Sequence, residues 1–197
     1  MSVSLEQQLR DVGALKEGHF LLASGLHSDR YIEKFDLLRN PAATEAALAG
    51  LADRYTDEHI DVVVGPTTGG VILAFELARQ LGASAAFAER KEGGSAGREF
   101  RRGTSFAPGT RVLVIDDILT TGSSIQETLA ALTDQQVDVV GIAVLVDRSA
   151  GRTTFAEADL TAILSLNVDV WDSEDCPLCE AGVPLTKPGT TTVSGSK

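Results

Sequence analysis

The 197-residue chain is short of positive charge, with 17 Lys and Arg against 28 Asp and Glu and a formal net charge of −11. A general nucleic-acid binder is thereby disfavoured, because phosphate backbones would be repelled unless a basic patch were set apart from the rest. There is no apolar run of about 18 residues, the length needed to cross a bilayer. The start, MSVSLEQQLRDVGAL, lacks the basic-then-apolar layout of a secretory leader, so a cytoplasmic location is expected. No internal repeat is visible, and neither is an aromatic-studded basic face. Only two cysteines occur, as Cys176-Pro177-Leu178-Cys179, which supply two of the four ligands a structural zinc takes. His19, His27 and His59 do not sit at finger spacing. The pair is expected to form a tight thiol turn, with a zinc shared across a dimer or redox chemistry as the alternatives.

What is present is a pattern of strand, small-residue turn and helix. An amphipathic helix is expected over Ser4 to Leu15, and short strands across GHFLLASGLHSDRYIEKFDLL. A helix follows that Pro41 can open at its first turn. From Ile60 the runs IDVVVG, ASAAFAE, RVLVIDD, VDVVGIAVLVD and DLTAILSL read as strands, the first of them apolar enough to be buried on both faces. Val71 to Leu81 and SSIQETLAAL read as helices between them. Strands alternating with helices imply an α/β fold with a central parallel sheet covered on both faces. From Thr186 the sequence has too little apolar surface to offset the entropy of ordering, so a loose tail is expected over 186–197.

Ligands of open parallel sheets collect beyond the carboxyl ends of the strands. LVIDDILTTGSS, Leu113 to Ser124, places Asp116 and Asp117 at such an end. Consecutive strand residues point to opposite faces, so the two carboxylates are expected to do different jobs. Either can accept bonds from vicinal sugar hydroxyls. Thr120, Thr121, Gly122, Ser123 and Ser124 then lead into a helix expected to begin near Ile125. Open amides at a helix start, hydroxyl donors and a glycine that permits close approach make a phosphate cradle. Capping alone needs one hydroxyl residue, and here there are four. No lysine follows the glycine, which excludes the nucleoside-triphosphate loop. A ribose 5-phosphate fits the arrangement. A second concentration of charge lies at Arg90, Lys91, Arg98, Arg101 and Arg102, five of the basic residues within 13 positions, opposed only by Glu92 and Glu99. By itself this reads as a solvated loop or hairpin.

VLVIDDILTTGSS resembles the phosphoribosyl diphosphate (PRPP) motif of the type I phosphoribosyltransferases. GALKEGHFLLASGLHSDRYI, GPTTGGVILA, FAERKEGG, FRRG, LVDRSAG and CPLCEAGVPLTKPG extend the likeness over nearly the whole chain, towards the orotate phosphoribosyltransferases of the shorter bacterial type. The resemblance implies one type I phosphoribosyltransferase domain over 1–185, with a hood built from about 1–40 and part of the C-terminal region. It implies Mg²⁺-dependent transfer of ribose 5-phosphate from PRPP to orotate, giving orotidine 5′-phosphate and pyrophosphate in pyrimidine synthesis. PRPP-binding residues carried over are Arg90, Lys91, Asp116, Asp117, Ile118, Leu119, Thr120, Thr121, Gly122, Ser123 and Ser124. Of these, Asp116, Asp117 and Lys91 are the catalytic candidates. Thr120 and Arg148 are the orotate contacts, the latter through a planar fork suited to a carboxylate, with an ion pair to Asp147 as the bland alternative. Tyr31 is a candidate cover for the orotate ring. Thr67, Thr68 and Gly69 stand in the pyrophosphate loop. Magnesium is expected to be held mainly through PRPP, and a homodimer to share the basic loop across subunits. The likeness breaks at Gly94 and Ala96, where many members carry Lys and His, and at Ala23 and Gly69, where some carry Lys. A PRPP-sensing regulator and a purine phosphoribosyltransferase are the competing expectations, the second opposed by Arg148.

Overall fold

The structure, a computed structural model, describes residues 4–22 and 24–188; Ala23 and the remainder of the expected tail lie outside them. Helix α1 (Leu5–Asp11) starts at Ser4, whose hydroxyl accepts a bond from the Gln7 amide at 3.3 Å. The helix expected to reach Leu15 stops four residues earlier. After the turn at Val12 and Gly13, Leu15 enters the core from strand β1 (Leu15–Leu21), which pairs antiparallel with β2 (His27–Ile32). The expected strand content ends there. Lys34–Leu38 forms a short helix, α2, because the Glu33 side chain accepts from the Phe35 amide and caps it. Helix α3 (Pro41–Tyr55) opens on proline as expected, capped by the Asn40 side chain.

The large sheet is built from β3 (Val62–Pro66), β4 (Ser84–Arg90), β5 (Arg98–Glu99), β6 (Arg111–Leu119), β7 (Asp138–Asp147) and β8 (Leu160–Ser165). Their spatial order is β5-β4-β3-β6-β7-β8, and every pairing is parallel except the β4–β5 hairpin. Helix α4 (Gly69–Leu81) connects β3 to β4, and α5 (Ser123–Thr133) connects β6 to β7. Strand β6 is buried on both faces, and its alternation sorts the core into two layers. Leu113 and Ile115 join Leu48, Leu51, Leu73 and Leu77 from α3 and α4. Val112 and Val114 join Ile125, Leu129 and Leu132 from α5. Each fully buried aliphatic side chain contributes roughly 1.5–3 kcal/mol. The same parity sends Asp116 towards α5 and Asp117 towards α4.

Strand β9 (Val170–Trp171) returns to pair with β2, forming a small sheet of order β1-β2-β9 beside the carboxyl ends of the large one. The chain finishes with the short helix α6 (Pro177–Glu180). Thr186, expected to begin the loose tail, is instead bound to β1: its amide donates to the His19 carbonyl at 2.8 Å and its carbonyl accepts from the Leu21 amide at 2.9 Å. No helix among the described residues is long and apolar enough to cross a membrane.

Candidate active site

Three loops leave the carboxyl ends of adjacent strands β3, β6 and β7. At the end of β6 both acids are buried, and they part company as strand parity requires. The Asp116 carboxylate accepts from the Ser124 hydroxyl at 2.5 Å and from the Asp117 amide at 2.8 Å. Burial, and then the neighbouring Asp117 charge, push its pKa up from 3.8 to about 6, against the lowering effect of those hydrogen bonds. On the other face, Asp117 Oδ1 accepts from the Ile118 amide at 2.7 Å, and Oδ2 lies 2.8 Å from Lys34 Nζ. Lys34 was not anticipated, since nothing in its local sequence distinguishes it from a surface lysine. Beyond the acids, the Ile118 and Leu119 side chains pack into opposite core layers, leaving their backbones as the parts able to meet a ligand.

The threonine and serine run carries the turn from β6 into α5. Gly122 has φ +80° and precedes α5, which starts at Ser123 rather than Ile125. A Cβ at Gly122 would press on Thr153 Cγ2 at 2.8 Å and on the Phe155 ring at 3.1 Å, so both backbone conformation and space select glycine there. No side chain caps α5, which leaves its first-turn amides and the positive end of its dipole facing outward. Thr121 Oγ1 and Ser123 Oγ, 3.3 Å apart, flank that opening.

The β3 loop lies against the same acids. The Thr67–Thr68 peptide is cis, and the Thr67 amide donates to the Ala88 carbonyl of β4 at 3.0 Å. Gly69 opens α4 directly beneath Asp117; a Cβ there would collide with Asp117 Oδ2. A lysine at this position, as the resemblance offers for some relatives, would displace the carboxylate.

The basic segment divides into anchored and open cations. Arg90 pairs with Arg98 across the β4–β5 hairpin. Arg98, grouped by sequence with the loop cations, is 4% exposed and structural. Its guanidinium donates to Thr67 Oγ1 and to the Ala88 carbonyl, each at 3.1 Å, and lies 3.4 Å from Glu127. Burial lowers its pKa. Arg101 is held by Glu92 and Glu99, and Arg102 by Glu89. Arg90 and Lys91 make no ion pair among the described residues. Lys91 lines a cavity between the hairpin and α5, separate from the one that contains Arg148. Within one chain, therefore, Lys91 is not brought to the orotate candidate.

Arg148 follows β7, and its amide donates to the Leu119 carbonyl at 2.8 Å, tying it to the end of β6. It lines a pocket of about 560 Å³ together with Tyr31, Thr120, Thr121 and Arg152, walled on the side of the β1–β2 turn and β9 by Leu22, Leu26 and Val170. The Arg148 Nε is buried without a hydrogen-bond partner, and burial lowers the pKa of the guanidinium. Asp147 does not pair with it; that carboxylate accepts from the Ser149 amide at 2.7 Å. A half-buried guanidinium whose Nε lacks a partner, set among the apolar and hydroxyl side chains of this pocket, is suited to a planar anion. Arg152 is a second cation there that sequence reasoning missed, its signal being only a place four residues after Arg148.

Comparison with known proteins agrees with this geometry. Residues 36–172 match the family model described as the phosphoribosyl transferase domain. The chain is 42% identical over 179 residues to the orotate phosphoribosyltransferase of Thermoanaerobacter sp. (strain X514), covering 91% of this chain and 92% of that one. It is likewise 42% identical to that of Thermus thermophilus, covering 89% and 94%. Among solved structures it is similar to the orotate phosphoribosyltransferase from Aeropyrum pernix, with a TM-score of 0.70 and 28% identity over 82% of this chain and 93% of that chain.

Proposed function

The chain belongs to the orotate phosphoribosyltransferases within the phosphoribosyl transferase domain family, and we propose how its residues divide the transfer of ribose 5-phosphate from PRPP to orotate. The 5-phosphate sits on the open amides and hydroxyls of Thr120 to Ser124, at the start of α5. Asp116 and Asp117 accept bonds from the ribose hydroxyls, approaching from the two faces of β6, and favour the positive charge that grows on the sugar. The diphosphate lies along Thr67, Thr68 and Gly69. The bond from C1 to the pyrophosphate oxygen breaks with its electron pair leaving on pyrophosphate, and the orotate ring nitrogen, having shed its proton, bonds to C1.

The observation that carries the assignment is Arg148, with a buried Nε that lacks a partner, in one pocket with Thr120 and Thr121. Its guanidinium grips the orotate carboxylate while Tyr31 and the hood wall cover the ring. A purine base has no carboxylate to offer. Two adjacent buried carboxylates fit a nearby Mg²⁺, which would need few protein ligands and would be held mainly through PRPP. When bound, Mg²⁺ neutralises charge on the leaving pyrophosphate. Arg90 and Lys91, free of ion pairs among the described residues, serve the diphosphate of a neighbouring subunit in a homodimer, which excludes water from the cation. The enzyme works in the cytoplasm.

Incubation of the protein with orotate, PRPP and Mg²⁺ should consume the ultraviolet absorbance of orotate. Tight PRPP binding without turnover would overturn the enzymatic reading and point to a sensor.

A further inference from the structure

Both cysteines and two of the three histidines of the chain meet at one point, outside the pocket that holds Arg148. His19 comes from β1, His27 from β2, Cys176 precedes α6 and Cys179 lies within it. His19 Nε2 is 2.9 Å from His27 Nδ1, 3.5 Å from Cys176 Sγ and 3.7 Å from Cys179 Sγ, and Cys179 Sγ is 3.3 Å from His27 Nδ1. All four ligand atoms lie within 4.8 Å of one another. A tetrahedral zinc with its usual bond lengths sets N···N at about 3.4 Å, N···S at about 3.5 Å and S···S at about 3.8 Å. The three N···S separations, 3.3, 3.5 and 3.7 Å, span the zinc value, while the two imidazole nitrogens, 2.9 Å apart, would move about 0.5 Å further apart to share an ion.

The chemistry of the surroundings agrees. His19 Nδ1 lies 2.8 Å from the Val183 carbonyl, an acceptor only, so this nitrogen carries the proton and Nε2 turns its lone pair towards the cluster. The cysteines are not joined in a disulfide. His19, His27 and Cys176 are buried while Cys179 is exposed, which provides a way in. Two thiolates and two neutral imidazoles around a divalent ion carry no net charge, the form that burial tolerates. On binding, each thiol releases its proton to solvent. Mixed sulfur and imidazole ligands at this spacing select zinc over magnesium or calcium.

We propose that His19, His27, Cys176 and Cys179 bind one structural zinc ion per chain. The ion fastens the C-terminal segment to the β1–β2 hairpin, whose connecting residues Leu22, Ser24 and Leu26 line the Arg148 pocket. Its role is to hold that wall in place, not to take part in the reaction. The site stands on its own geometry, independent of the assigned activity.

The test uses the untagged full-length protein. Elemental analysis after purification should find one zinc per chain. After chelation under reducing, anaerobic conditions, titration with Co²⁺ should produce the intense visible bands of four-coordinate cobalt and a thiolate-to-metal charge-transfer band, both saturating at one equivalent. Cys179→Ser and His27→Ala should weaken cobalt binding at least tenfold, while His59→Ala, outside the cluster, should not alter it. Zinc should also raise the thermal midpoint of the stripped protein in a concentration-dependent way. Absence of zinc together with a pale six-coordinate cobalt spectrum in the reduced wild-type protein would overturn the proposal, and that measurement needs no variant to fold.

Discussion

Lys34 Nζ lies 2.8 Å from Asp117 Oδ2, joining the short helix after the β1–β2 hairpin to the strand end that carries the acid pair. The carboxylate is buried and the lysine about one-third exposed, so the pair is neither a screened surface bridge nor a fully desolvated one. Removing the cation leaves Asp117 charged beside Asp116, which already resists ionisation.

Lys34→Met is therefore expected to cost about 1–2 kcal/mol of stability, less than the loss of a fully buried pair. Adding Asp117→Asn should recover part of that loss. A double-mutant cycle on urea unfolding should return a coupling of about 1 kcal/mol; strict additivity would show the contact contributes nothing.

Asp116→Asn should trade activity for stability. The folded-state pKa of Asp116, about 6, exceeds its unfolded value of 3.8, so the native state binds the extra proton and wild-type stability falls as pH rises through that window. The variant removes the ionising group but weakens the bond with Ser124. It should be more stable than wild type by roughly 1–2 kcal/mol above pH 6, with the advantage vanishing near pH 4. Thermal melts across pH check the sign: equal midpoints at pH 8 would contradict the assigned burial penalty.

Arg148→Ala should raise the orotate KM by roughly 10²-fold or more, since two charge-assisted bonds are lost at about 1.5–3 kcal/mol each. The PRPP KM should stay within a few-fold. Steady-state kinetics in each substrate separate the two, and equal losses would remove Arg148 from the base pocket.

Gly69→Ala places a methyl group where Asp117 Oδ2 now stands. The carboxylate must move, and kcat/KM for PRPP should drop by roughly 10²-fold, the scale of losing one preorganised group. Gly69→Lys should fare no better, despite the lysine that the resemblance offers there for some relatives. Retained activity in either variant would mean that Asp117 has room the structure does not indicate.

In the proposed homodimer, mixing Asp117→Asn with Lys91→Ala protein should restore part of the activity that each lacks alone, because in a hybrid one site keeps its own acid and receives an intact loop. Proven subunit exchange without recovery would place Lys91 in the site of its own chain.

Much of the site was legible in the chain because its information is local. An apolar run, paired acids and four hydroxyl residues before a helix specify a strand end, two opposed carboxylates and an amide cradle by backbone periodicity alone, and α5 starts within two residues of expectation. Which groups those carboxylates meet was not legible, because Lys34 and Ser124 reach them from opposite sides of the sheet. Arg98 shows the same division: composition grouped it with the loop cations, and only the packing of β5 beside β4 turned it inward to Thr67. The cysteine pair is the extreme case. Its spacing presents half of the proposed tetrahedral site, and the other half is His19, 157 residues before Cys176, and His27, 152 before Cys179, brought near when the C-terminal segment packs against the β1–β2 hairpin. Local sequence determines what each segment can become and which side chains it presents; the pairing of segments distant along the chain is decided by burial and packing, which no local spacing encodes.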